Sequence, residues 1–468
     1  MVEYQDFEIR DFSGGLIDYV DDNLLPENAS GDMQNWISRT IGSLKKRPGQ
    51  KRLNSSALGG TITGLYPFYH GTSRKLIAAA NGIVSYWTGS SFSNIKTGLN
   101  TSANIMFETC VDYLVSFNGI NTPWKYDGGA VTTLANAPSD GQFCVLHKEK
   151  LFTVPKSEPS TLLWSNSFEP EAWEAVNYWD VKKGDGDAIT SLKKHIGELI
   201  IFKNRSIHAL RGTNLDDFRL DEMDSRVGCV GPHAAATVGP YIYFVADDGI
   251  YVWNGVRAQN ISEERIPKLW ATLNKQHINK AAVGYWDGLV WFAVPEGTSA
   301  YNNLVIAYDP PSTSATGGSF WVWRGINASC FTTYNDGTKN IFYSGDSISG
   351  YINTQATGTD DFGAAINAYW EGKHFDVGSP ERKKKSKKLF VQDSPDTENT
   401  VTIQTAKDYG TYKDCSLRAT DGTIREFKFA DSARWRFISP KISHRAKGEC
   451  EVRGILIPYK AKSKPKAS

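Results

Sequence analysis

The sequence predicts an all-β protein. It reads as a β-propeller of about seven blades, with six or eight also compatible, between an extended N-terminal arm and a C-terminal β-sandwich-like domain. Three observations predict this. Aromatic residues are abundant in the 468-residue chain, with 14 Trp, 21 Tyr and 22 Phe beside only 4 Met, and aromatics suit half-buried pleated surfaces. The 42 glycines supply turns between short strands. From residue 60 onward, a unit of four strand-like segments recurs at roughly 40–60 residues, the spacing of four-stranded propeller blades.

Residues 1–59 show neither helical nor strand periodicity. Glycines and a proline punctuate them, and the isolated apolar anchors Phe12, Leu16 and Trp36 require a surface to bury against. This segment reads as an extended arm laid over another surface, with a neighbouring copy as one such surface.

Residues 60–365 hold the repeat. One copy runs ITGLYPFY, KLIAAANG, IVSYWTG and SFSNIKTG; a second runs ANIMFET, YLVSFNG, TPWKYDG and AVTTL. Later copies include ELIIFKNR–SIHALRG, YIYFVADDG–IYVWNG, LVWFAVPEG–NLVIAYDP–SFWVWRG and NIFYSGD–SGYINTQ. Asn81-Gly82, Asn118-Gly119, Asp248-Gly249 and Asn254-Gly255 are hairpin signals between alternating strands. Two stretches are longer than hairpin loops need and read as insertions. These are residues 155–181 and 261–280, the second helical with Ile266, Leu269, Trp270 and Leu273 on one face.

Residues 366–468 alternate without the blade rhythm, through INAYWEG, KKLFVQD, TVTIQTA, IREFKFA, RWRFISP and CEVRGILIPY. They read as a small sandwich-like domain with a basic tail, Lys460 to Lys466. The formal net charge of +1 conceals a division: residues 369–468 carry +9 and residues 1–368 carry −8. The near-zero total disfavours tight, sequence-specific nucleic-acid binding. No 18-residue apolar run occurs, so no membrane insertion is expected. The six cysteines lie far apart with no CxxC pair, which fits buried free thiols.

No HExxH, GxSxG, Walker or Rossmann pattern is present, and the eight histidines show no ligand spacing. No enzyme activity, cofactor or metal is expected. Lys182-Lys183-Gly184-Asp185-Gly186-Asp187 suggests Ca²⁺ by its alternating Asp and Gly, yet it lacks a third acidic ligand, and a turn capped by Asp is favoured. The carboxylate pairs Glu169/Glu171 and Asp247/Asp248 read as surface acids. The densest charge block is Arg382, Lys383, Lys384, Lys385, Lys387 and Lys388. It is a candidate contact for phosphate, an acidic partner or solvent.

Three N-terminal segments, DFSGGL, DMQNW and GSLKKRPG, precede a middle stretch WSNSFEPEAWEAVNYWDV…GDGDAITSLKKHIGELIIFKNRSIHALRGT and a C-terminal series AYWEGKHFDV, KKLFVQD and RWRFISPKISHRAKGECEVRGILI. In this order they resemble the packaged-DNA stabilisation proteins of short-tailed bacteriophages, and more loosely the tail-nozzle proteins. The resemblance covers most of the chain. It implies a β-propeller with a second β-domain, six copies of which form a ring under the portal. Such a ring continues and narrows the DNA channel, in contact with the portal or an adaptor protein, and carries distal tail proteins such as a fibre, spike or needle. It also implies a place in the virion tail, with assembly in the host cytoplasm. Two other readings compete: a glycan-binding, receptor-recognising propeller, motivated by Trp286, Trp291, Trp321 and Trp323, and a scaffold propeller that binds peptides.

Overall fold

The computed structural model describes residues 4–40, 42–311, 317–394, 401–430 and 434–462. In them the chain is all-β, with helical turns only at Asp22–Leu24, Pro267–Ala271 and Lys275–Lys280. Between residues 62 and 354 the strands form small antiparallel sheets of four strands, an arrangement compatible with a propeller-like fold.

In chain order these sheets span residues 62–96, 106–133, 145–180, 189–224, 235–260 and 282–324. A seventh uses Ala328–Asn335, Asn340–Asp346 and Ile352–Thr354, and takes its fourth strand, Lys51–Arg52, from the N-terminal region. The first strand of each sheet lies beside the first strand of the next, and that of the seventh lies beside that of the first.

Local chemistry explains the strand order within a sheet. Second strands such as Glu198–Lys203 (ELIIFK) and Leu289–Val294 (LVWFAV) are near-continuous apolar runs, buried along almost their whole length. Covered faces on both sides remove the need for alternation. Outer strands such as Phe92–Lys96 stay part-exposed and polar. Asn81 and Gly82 take φ of 49° and 71°, the positive pair that a two-residue type I′ hairpin requires.

Both stretches read as insertions fold differently from expectation or more briefly. Residues 155–181 supply the third and fourth strands of their sheet, Thr161–Trp164 and Tyr178–Asp180. Residues 261–280 do bury Ile266, Leu269, Trp270 and Leu273, but the α-helix there is only five residues long.

The described residues of the N-terminal 59 find a surface to lie on within their own chain. Gln5–Ile9 pairs antiparallel with Glu451–Ala461, setting Phe7 opposite Ile457 and Ile9 opposite Ile455. Ala29–Gln34 pairs with Ala368–Gly372, with Met33 opposite Trp370. Leu44–Lys46 pairs with both Trp36–Ile37 and Glu451–Ala461. The N-terminal strands thus join a nine-stranded and a six-stranded sheet otherwise built from residues 368–461. Backbone N–H and C=O groups of an apolar segment must find partners, and for Gln5–Ile9 and Ala29–Gln34 the C-terminal partners lie more than 330 residues away. One hydrophobic cluster contains Phe12, Trp36, Trp370, Ile442 and Ile455 together with Trp291 and Trp323 of the sixth sheet. The two halves therefore share a core.

Candidate functional site

The anchors Phe12, Leu16 and Trp36 are all buried within their own chain. Phe12 meets the Trp370 ring edge-on at 5.1 Å. Around them the three N-terminal motifs converge on the junction between the sixth sheet and the composite domain. Asn35 sits at φ 59°, and its backbone N–H donates to Val322 O at 2.8 Å. Its Oδ1 accepts from Arg324 N at 2.8 Å and from Arg47 Nε at 3.0 Å. Its Nδ2 donates to Asn367 O at 2.7 Å. The Trp323 indole N–H donates to Trp36 O at 3.1 Å.

Arg47, whose side chain is 1% exposed, completes this clasp. Its two terminal nitrogens reach both carboxylate oxygens of Asp361, at 3.1 and 2.5 Å. They also donate to Pro48 O and Arg324 O. A bidentate, fully directed guanidinium is what makes burying this charge tolerable. Two glycines permit the close approach. A Cβ at Gly49 would lie 2.0 Å from Asp360 O, and one at Gly15 would lie 2.6 Å from Phe320 O. Asp18 extends the clasp, accepting from Lys268 N and Leu269 N at 2.9 and 2.7 Å and so capping the short helix. These motif residues are structural ties. Apart from the Asn35–Arg47 and Arg47–Pro48 bonds, the partners described here are hundreds of positions away, and no local signal could have named them.

The basic run contains a short strand, Lys384–Lys385, paired on both sides with Arg434–Trp435 and Glu451–Ala461, and is not a uniform patch. Lys384 and Ser386 point inward and are fully buried, while Lys383, Lys385 and Lys387 are exposed. Lys384 Nζ donates to the carbonyls of Asp376 at 2.6 Å and Arg436 at 3.0 Å, and also to Ser379 O. It is unavailable to a partner, and burial lowers its pKa. Lys388 pairs with Glu426 at 2.8 Å, and Arg382 lies 3.7 Å from Glu381. The period-two alternation of a strand thus leaves three lysines in a row on one outer face. Of the basic tail, Lys464 and Lys466 lie outside the described residues.

Other candidates resolve into structure. Asp185 accepts from the buried Lys203 Nζ at 2.6 Å. Asp187 accepts from Ala188 N, Asn204 Nδ2 and Arg205 N at 2.7–2.9 Å. The carboxylates of this Asp-Gly stretch are thereby satisfied by protein donors. Glu171 binds Lys125 at 2.5 Å. Asp248 accepts from the Tyr251 hydroxyl at 2.9 Å. Trp291, Trp321 and Trp323 lie in the interior at 0–2% exposure, and Trp286 stacks on Phe342 at 5.6 Å. The three interior rings are packed away from any sugar, while Trp286 is half-buried. All six cysteines are buried. Burial pushes the thiols of Cys110 and Cys330 up to about 11.

Sequence reasoning missed one concave feature. A cavity of about 830 Å³ opens where the first strands of the small sheets begin, and residues of all seven sheets or their lead-in loops line it. Thr63, Thr190 and Ser329 each occupy a β-bulge at this rim. Their hydroxyls donate to backbone carbonyls, Thr190 to Cys229 O at 2.7 Å and Ser329 to Ile62 O at 2.5 Å. Bulges re-aim side chains at barrel rims. Here they place hydroxyls where one sheet meets the next. Their signal in sequence is only a Thr or Ser one residue into a first strand.

No family model matches the chain, and no curated protein matches it.

Proposed function

We propose that this chain is a structural subunit of a short-tailed phage virion. In this reading six copies form a ring in the head-to-tail connector or tail nozzle, which seals and conducts packaged DNA and carries distal tail parts. The seven four-stranded sheets, with first strands running in a circle, are read as a seven-bladed propeller. Lys51–Arg52 closes its last blade.

The observation that carries the proposal is the clasp. The three N-terminal segments that bear the resemblance meet at one buried junction, centred on Asn35 and Arg47, between the blades and the composite domain. A subunit that withstands the pressure of packaged DNA needs its modules fixed against each other, and a shared core with a buried ion pair does this. Charge supports the same reading. Residues 60–368 hold 23 Lys+Arg against 29 Asp+Glu, so the blade region repels DNA rather than gripping it. The basic composite domain, with Lys383, Lys385 and Lys387 outermost, complements the acidic blades of a neighbour. A head-to-tail contact of this kind closes into a ring. Because the arm is woven into its own chain, this contact replaces the arm as the link between copies.

Native mass spectrometry and negative-stain microscopy of the purified protein, with immunolabelling of virions, test the proposal. Rings of six and label at the tail axis are expected. Reversing Lys383, Lys385 and Lys387 to Glu is expected to abolish rings without lowering the melting temperature. A protein monomeric at every concentration and absent from virions would sink the idea.

A further inference from the structure

A second concave feature lies at the outer edge of the third small sheet. Its two outermost strands, Thr161–Trp164 and Tyr178–Asp180, pair so that Thr161 stands opposite Asp180 and Leu163 opposite Tyr178. Directly opposed residues share one face of a sheet, and all four of these line a cleft of about 750 Å³. Trp173 and Leu163 are half-buried in it and Tyr178 is exposed, so part of its surface is apolar.

The charge of the cleft is one-sided. Asp140, Glu158, Glu174 and Asp180 line it, and Lys183 is the single cation among the lining residues. The Lys183 ammonium is shared between Glu158 at 2.9 Å and Asp180 at 3.4 Å. Asp140 accepts instead from Ser157 N at 2.8 Å, and Glu174 from Asn166 Nδ2 at 2.7 Å. Four carboxylates against one ammonium give the lining a formal charge of −3.

The sequence holds a matching segment. Residues 462–468 read Lys-Ser-Lys-Pro-Lys-Ala-Ser, three lysines and no acid. On an extended backbone Lys462, Lys464 and Lys466 fall on one face, and proline biases its own position and the one before it toward that geometry. Lys462 is exposed, and residues 463–468 lie outside the described ones. The backbone N–H of Lys462 donates to Lys383 O at 2.9 Å, so the segment leaves the fold beside the exposed lysines.

The cleft and the composite domain stand on opposite sides of the subunit. The composite domain packs on Ser319–Arg324, the outermost strand of the sixth sheet. The third and sixth sheets are three places apart in the circle of seven. Two four-stranded sheets set across a circle, with strands about 4.8 Å apart, put their outer edges more than about 35 Å from each other. Seven residues span at most about 25 Å, which favours a neighbour's cleft over the segment's own.

We propose that residues 462–468 of one copy dock in the third-sheet cleft of the next, with the lysines on the carboxylates and Pro465 against Trp173 and Tyr178. Extended, proline-containing segments dock in aromatic-lined grooves in this way. The inference rests on the ring reading above and names the two surfaces that meet. Two different patches on opposite sides of one subunit are what a head-to-tail contact that closes requires.

Two measurements on full-length chains test this. The first is fluorescence anisotropy of a labelled peptide of residues 460–468 on the tail variant Lys462→Gln/Lys464→Gln/Lys466→Gln, in which no basic tail competes. Saturable binding of one peptide per subunit is expected. Adding Glu158→Gln and Asp180→Asn is expected to weaken it about tenfold, the loss of two charge pairs. Adding Glu263→Gln and Glu264→Gln removes as much charge outside the cleft and should leave it unchanged. All four of these acids are exposed, so melting temperatures should hold. The second is native mass spectrometry. The tail variant and the cleft variant Glu158→Gln/Asp180→Asn are each expected to need at least about tenfold more protein to form rings. An equimolar mixture of the two is expected to give heterodimers, because one brings the cleft and the other the tail. Rings from the unaltered chain without peptide binding would overturn this inference alone, whereas monomers at every concentration would overturn the ring reading with it. Equal peptide binding by the cleft variant, or no excess of heterodimers in the mixture, would also sink it; the latter is the result if the segment lies in its own cleft or on an unrelated acidic partner.

Discussion

Arg47 shows how much one side chain holds together. Its guanidinium is enclosed by Asn35, Asp361 and the carbonyls of Pro48 and Arg324. Truncation to Ala strands a part-buried carboxylate and two carbonyls in the shared core. Arg47→Ala is expected to cost about 3–5 kcal/mol, the penalty for breaking a buried pair from one side. Arg47→Lys should recover little, because an ammonium cannot present the two-pronged fork that Asp361 receives. Urea unfolding of the three proteins measures this. A loss below about 1 kcal/mol in Arg47→Ala would contradict the clasp. Lys384 carries a related lesson. It belongs to the most charged run of the sequence, yet it lies in the interior, coordinated by three carbonyls.

At the scale of elements, the turns joining first to second strands are revealing. Lys148-Glu149, Ile196-Gly197 and Asp287-Gly288 all have both residues at positive φ, and so do Val111 and Asp112. Asp and Gly suit this conformation, whereas a β-branched residue there is strained by about 1–2 kcal/mol. Ile196 holds φ 42° with 74% of its surface exposed, so packing does not compensate. Ile196→Asn, which creates the Asn-Gly pair that type I′ turns prefer, is expected to stabilise the protein by about 1 kcal/mol in thermal melts. An unchanged or lower melting temperature would refute it. The same elements show what a sequence discloses. Four-strand units such as 62–96 were legible, because alternation and Asn-Gly turns are local signals. Tyr178–Asp180 was not, because a three-residue strand inside a turn-rich stretch carries too few positions for a period. The pairing of Gln5–Ile9 with Glu451–Ala461 left no local trace at all, since a strand's partner is chosen by the whole fold. The rim cavity was equally hidden, as its lining is drawn from every sheet.

At the scale of the whole molecule, the small sheets and the composite domain are expected to melt together. They share the cluster that runs from Trp291 and Trp323 through Trp36 to Ile455. Residues 5–46 are committed to the composite domain on the N-terminal side of the strand Lys51–Arg52. Calorimetry is expected to give one cooperative transition for the full chain. Truncation after residue 365 should abolish that transition and leave aggregating protein, because it removes the partners of Gln5–Ile9 and Ala29–Gln34. A truncated chain that melts at the full-length temperature would show the halves to be independent.

The same closure governs how the protein comes into being. Lys51–Arg52 cannot be seated until residue 354 has emerged from the ribosome, and Gln5–Ile9 must wait for Glu451–Ala461. At about 5–20 residues per second, the first fifty residues remain without their final partners for tens of seconds. Through that interval Phe12, Leu16 and Trp36 are solvent-facing on a nascent chain. The finished fold is thus preceded by a long vulnerable infancy, during which chaperones have their widest opportunity to act.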